Sequence, residues 1–336
     1  MEQTAVEKKF GKYVMASMIT MFLQSAYSMI DGLFVSNLIG DTALSAVNVA
    51  WPVIAVITAI GTGVGCGGAV MMSTKQGEGK NEESNIVRAN VILALLASSI
   101  VVTILFLVLL TPLLKLMGAE GELLRLSQIY GRVMLTGGVL QILSCGLTPL
   151  LRNDNRAVSA MIIMVGGLFV NLGLDFVFMY VFHMGIGGAA GASLCAQLFT
   201  TLCCLNILGT KKTDPIRFSQ FTIRKEYWKK IFKTAVSPFG ISLTPSLLIL
   251  YHNVACLKFG GDLAVNAYAL ISSTVGSYRV LLIGVAEGIQ PLASYAYGAH
   301  DFHAIRKIRN KAIITAMSVS FFLFIFTITT ARFYPA

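Results

Sequence analysis

The sequence predicts an all-α fold: a polytopic transmembrane helix bundle built as two parallel-repeat lobes, six spans followed by three. Three observations carry this. The 336-residue chain is 55% hydrophobic and only 12% charged, whereas a soluble domain carries about 25% charged residues. Its apolar residues gather in runs long enough to cross the hydrocarbon, which takes roughly 20 residues per helix. Those runs repeat at a fixed offset along the chain. This much apolar surface exceeds what a soluble core of this length hides.

The runs fall at about 14–35, 43–72, 87–114, 124–151, 157–181, 186–208, 231–257, 264–296 and 312–330. The first is too long for a signal peptide, lacks a convincing cleavage site and contains Asp31, so it reads as a retained span. The second carries a stripe of Gly61, Gly63, Gly65, Gly67 and Gly68, and the sixth opens with Gly185, Gly187, Gly188 and Gly191. Small residues let membrane helices approach closely, where packing drives association. The six cysteines all lie in apolar runs and lack zinc-site spacing, so they read as small hydrophobes.

The net charge of +10 reflects topology and not a nucleic-acid partner. With the N-terminus in the cytoplasm, most Lys and Arg fall on that side: Lys8, Lys9 and Lys12, then Lys75, Lys80 and Arg88, Arg152 and Arg156, the basic stretch 211–233, and 306–311. The outer side keeps Lys115, Arg125, Lys258 and Arg332. This is the positive-inside pattern, with attraction to anionic headgroups as a second effect. A multi-pass protein of the plasma membrane, with lipid as its surroundings, follows.

A shift of 221 positions aligns Gly40 with Gly261, Asp41 with Asp262, Gly63 with Gly284, Gly67 with Gly288, Ser73 with Ser294, Gly77 with Gly298 and Arg88 with Arg309. An even number of spans between copies preserves orientation, so the copies are parallel repeats about an axis along the membrane normal. Residues 1–210 form the first lobe, 211–230 a cytoplasmic linker with an amphipathic stretch near Ile223, and 231–336 a partial second lobe. Symmetry expects about three further spans.

Ionisable residues inside spans mark function or a specific partner. Asp31 lies in the outer part of the first span, with Gln24 one heptad earlier on its face. Asp175 lies in the fifth span, stacked four residues after Asn171. Both acids fall toward the outer leaflet, and a cluster of hard oxygens suits a proton or Na⁺ better than a soft metal. Glu287, His252 and Arg279 form a possible polar site in the second lobe; His252 is the repeat equivalent of Asp31. Glu287 lies two turns from Arg279, too far to assert a pair. No P-loop, nucleophile elbow or dinucleotide fingerprint appears, so neither an enzyme nor an ATP-driven pump is expected.

Residues 27–40 with Asp31, the Gly40-Asp41 turn with Ala43, Pro52, Gly77, Pro149-Leu150-Leu151-Arg152 and residues 171–175 together resemble the multidrug and toxic compound extrusion (MATE) family, in its prokaryotic branch. The resemblance implies twelve spans in two six-helix lobes around a central cavity. It also implies a first-lobe cation site using Asp31, Asn171 and Asp175, with Gln24 and Ser193 as neighbours and Na⁺ as a possible occupant. It implies export of bulky, often cationic drugs by antiport against H⁺ or Na⁺, with no cofactor beyond that ion, by a monomer. Two departures stand out. The first span has Met15-Ala16-Ser17 where the family often has proline, and the last three family spans are missing. The alternatives are a lipid-linked oligosaccharide flippase-like transporter and a non-transporting truncated fragment.

Overall fold

The computed structural model describes residues 3–209 and 220–330, with the side chains of 3–8, of Thr330 and of part of 250–274 outside the described set. The described residues are helical almost throughout, in the order α1 (Gln3–Ile39), α2 (Asp41–Gly77), α3 (Asn81–Leu116), α4 (Gly121–Thr136), α5 (Gly138–Asn153), α6 (Ala157–Asp175), a π-helical turn (Phe176–Val181), α7 (Gly185–Gly209), α8 (Lys225–Gly298) and α9 (Phe302–Thr330). Six of these helices, counting α6 with its π turn, are long and apolar enough to cross a membrane. The chain is a multi-pass membrane protein.

Three expected spans take an unexpected form. The fourth is broken at Gly137, where α4 and α5 meet at 59°. At the break Gly137 sits against the Leu194 side chain and Gly138 against the Thr103 hydroxyl, so a Cβ at either position would force its neighbour to shift. The seventh and eighth are not separated by a break in helical structure at Gly261-Asp262; helix α8 runs through 74 residues. A straight helix of that length would extend about 110 Å, yet α8 is no rod. The ring of His252 stacks on that of Tyr268, with centroids 5.0 Å apart, where a straight helix would separate them by about 24 Å. The chain therefore doubles back between these two residues. Helix α1, which lacks the family's proline, is continuous.

The directions of the two legs confirm the reversal. Along the first leg, Phe239 lies beside Gly63 and Ile231 beside Gly67, so it runs antiparallel to α2. Along the second, Ser73 donates to the Pro291 carbonyl, Thr74 to the Ser294 carbonyl, and Gly77 meets Gly298, so it runs parallel to α2.

The repeat read in the sequence reappears in these contacts. Gly63 packs on Ala235 and Phe239, and its repeat mate Gly284 packs on Met18, the mate of Phe239. A Cβ on Gly67 would stand 3.0 Å from the Ala235 Cα, and one on Gly288 would stand 2.6 Å from the Val14 Cα; Val14 is the mate of Ala235. Gly77 and Gly298 are mates of one another and touch directly, so they lie on the pseudo-twofold axis. Each copy thus lays its glycine-bearing helix against the first helix of the other. Only glycine permits this, because the neighbouring atoms are backbone and cannot move aside.

Several basic residues expected at the membrane surface are instead inside the bundle. Arg88 is 1% exposed in α3, with Nη1 3.6 Å from Asp154. Arg152 is buried in α5 and pairs with Glu287. Arg156, only half-buried, donates to the Ile207 carbonyl at 3.0 Å. An arginine so deep must find an acid or a carbonyl, because unpaired burial of its charge costs several kcal/mol. The linker expected at 211–230 falls partly outside the described residues; its last turn is already α8, and Asn90 grips it. The Asn90 side chain accepts from the Arg224 amide at 3.1 Å and the Trp228 indole N–H at 3.2 Å.

Candidate functional site: an acidic pair between α1 and α6

Asp31 lies on α1 eight residues before its end, about 12 Å along the helix from the Gly40 turn. Asp175 is the last residue of α6 and is fully buried. Helices α1 and α6 pack together and bring the two carboxyls side by side, each also next to the Tyr27 hydroxyl. Tyr27 donates toward Asn171 Oδ1 at 2.5 Å and Asp175 Oδ2 at 3.2 Å. Asn171 Nδ2 also donates to Asp175 Oδ2, at 3.0 Å, the contact expected for residues one helical turn apart. Tyr130 of α4, buried as well, lies within electrostatic reach of both acids.

One oxygen of each carboxyl is left over. Asp31 Oδ1 and Asp175 Oδ1 are buried and have no hydrogen-bond donor among the described residues. Among the described residues, no lysine or arginine acts on either acid. Two adjacent carboxyls with one unsatisfied oxygen apiece, away from water, make a receptor for a proton or a small hard cation.

The π-helical turn begins at the residue after Asp175, and its wider winding shows in the Phe182 amide, which donates five residues back to Val177. Such insertions are frequent at functional sites. Here the insertion lets Asp175 close α6 facing α1, while Phe176 and Tyr180 stack at 5.0 Å on the segment that follows.

Of the residues singled out by sequence, Asp31, Asn171 and Asp175 come together. Gln24 and Ser193 make no hydrogen bond to them among the described residues. Gln24 shares the face of Asp31 but is exposed and about 10 Å distant along the helix; a shared face is not a shared depth. Tyr27 and Tyr130 were missed as members. Tyr27 stands one turn before Asp31, a legible signal; Tyr130 carries none, because the bend at Gly137 brings α4 there.

The second-lobe residues do not converge. Glu287 turns to Arg152 of α5, not to Arg279, which is exposed on the same helix. His252 spends Nδ1 on the Leu248 carbonyl at 2.7 Å and its ring face on Tyr268, which is a packing role.

An internally repeated, multi-pass helical bundle with an acidic cluster enclosed between its spans has the build of a membrane transporter. The family model for MatE matches residues 16–177 and 241–335, and the chain belongs to that family. The multidrug export protein MepA of Staphylococcus saprophyticus is 24% identical over 333 residues, covering 98% of this chain and 73% of that protein. MepA of Staphylococcus aureus is 24% identical, covering 95% and 69%. Among solved structures, a MATE transporter in complex with MaL6 is 26% identical with a TM-score of 0.92, over 97% of this chain and 73% of that one. A multidrug resistance MATE transporter in its outward-facing conformation gives 0.90 at 26% identity, over 96% and 72%.

Proposed function

We propose that this chain works in a secondary exporter of bulky, often cationic drugs, driven by antiport of H⁺ or Na⁺ through the Asp31/Asp175 pair. The observation that carries the reading is the leftover oxygen on each carboxyl, Asp31 Oδ1 and Asp175 Oδ1. The coupling ion occupies the space between them, with Asn171 and Tyr27 fixing the orientation of Asp175. The multidrug export named for the MepA relatives supports the cargo class. The asymmetry of Lys and Arg supports a plasma-membrane protein with the Gly77 face in the cytoplasm. The lobes are residues 1–210 and 231–336, joined by 211–230, and the working unit is a monomer.

In this reading a cation arriving from outside neutralises the pair and favours a rearrangement that weakens drug binding. Coupling requires ion and drug each to bind the two conformations unequally. Ethidium efflux under an imposed pH gradient, and separately under a Na⁺ gradient, tests it. Asp31→Asn and Asp175→Asn are each expected to abolish gradient-driven efflux at unchanged membrane levels of protein. Undiminished efflux in both variants would sink the proposal; the gradient that drives the unaltered protein identifies the ion.

A further inference from the structure

Between α2, α3 and the first leg of α8 lies a crevice of about 480 Å³, within the 300–1,000 Å³ typical of ligand pockets. It is walled by Gly63, Ala97, Val101, Trp228, Phe232 and Phe239 among other residues, with Ser98 and the Trp228 indole as its few polar groups. It opens sideways, where Val101 and Val236 are 66% and 67% exposed. In a membrane-spanning bundle, that opening faces lipid.

The mouth is basic. On α8 the residues lining the crevice recur every three or four positions, at 228, 232, 235, 236 and 239. Continued toward the helix start, this stripe runs through Lys229 and Lys225, both exposed. Neither has an ion-pair partner among the described residues. The acid of that turn, Glu226, is engaged by Lys230 at 2.7 Å. Helix α8 begins at Lys225, and its N-cap residue Arg224 makes no side-chain cap, so the positive end of its dipole points to the same place. Asn90 pins the Arg224 amide and the Trp228 indole, so the mouth is held rigid. A hydrophobic slot that opens to lipid under two free lysines and a helix N-terminus is complementary to one kind of amphiphile. A lipophilic cation would meet repulsion at the mouth.

We propose that this crevice is a binding site for an anionic phospholipid, with an acyl chain along Phe232, Val236 and Phe239 and the phosphate at Lys225 and Lys229. The site is separate from the acidic pair and does not rest on the transport reading.

The test is native mass spectrometry of the purified full chain from mixed micelles doped equally with phosphatidylglycerol and phosphatidylcholine. The unaltered protein is expected to retain phosphatidylglycerol preferentially. Lys225→Gln with Lys229→Gln should erase that preference, at about fivefold per lysine. Ala97→Phe, which fills the slot, should lower retention of both lipids. If Ala97→Phe does not elute as a single folded species, Val236→Trp blocks the open side instead. A preference that survives loss of both lysines, or lipid retention unchanged in the blocked variant, overturns the proposal. Displacement of the bound lipid by excess ethidium overturns it as well, because the slot would then belong to the drug path.

Discussion

Two sets of buried or half-buried acids lie toward opposite faces of this bundle, and they are neutralised in different ways. Toward the Gly77 face, Asp154 meets Arg88 and accepts from Gln76 at 3.1 Å, and Glu287 meets Arg152. Toward the Gly40 face, Asp31 and Asp175 meet each other, with tyrosine and asparagine beside them and an oxygen to spare on each. An acid with its own arginine is a fixed part of the framework: the cation cannot leave, and removing either partner strands a buried charge. An acid pair without a cation leaves its neutralisation to something mobile. The Arg152–Glu287 pair also joins α5 in the first copy of the repeat to the second leg of α8, the leg whose Gly298 touches Gly77. The Gly77 side is thus riveted by ion pairs and backbone contacts.

That contrast can be broken by stability measurements on detergent-purified protein. The largest effect is expected from Glu287→Gln, which strands the charge of Arg152 and should cost about 3–5 kcal/mol. Replacing both partners by methionine should recover most of the loss in melting temperature. If Glu287→Gln is neutral, the pair is not part of the framework. Tyr27→Phe should cost less, about 1–3 kcal/mol, because it removes a donor shared by Asn171 and Asp175. A loss as large as that of Glu287→Gln would make the acidic pair a structural centre. The smallest effect is expected from Asp175→Asn, within about 1 kcal/mol of the unaltered protein. It removes one of two facing charges and keeps an oxygen for Tyr27. A steep fall in its melting temperature would erase the distinction between the two sets of acids.

The contrast was only half legible beforehand. Asp31 and Asp175 stood out because carboxylates are rare in apolar runs, and Asn171 because it lies one turn from Asp175. Nothing in the sequence marked Arg88 and Arg152 as buried. Each sits at the end of an apolar run near polar residues, where a surface position is the default expectation; only the packing of α2, α3, α5 and α8 encloses them. Glu287 likewise had a local candidate in Arg279, but its partner comes from a helix more than a hundred residues away in the chain. The π-helical turn after Asp175 left no trace in the apolar pattern, since every residue from Phe176 to Val181 suits lipid equally well.

By itself the sequence determined the helical class, the approximate spans and the 221-residue repeat, because each is written in one dimension: a run length, a charge asymmetry, a spacing of glycines. The contacts carry the same repeat, since Val14 and Met18 stand to Gly288 and Gly284 as Ala235 and Phe239 stand to Gly67 and Gly63. Tertiary structure alone decided which acid faces an arginine and which faces another acid. That choice depends on the rotation and depth of helices distant in the chain, and hydrophobic periodicity is silent about both once every face of a helix is apolar.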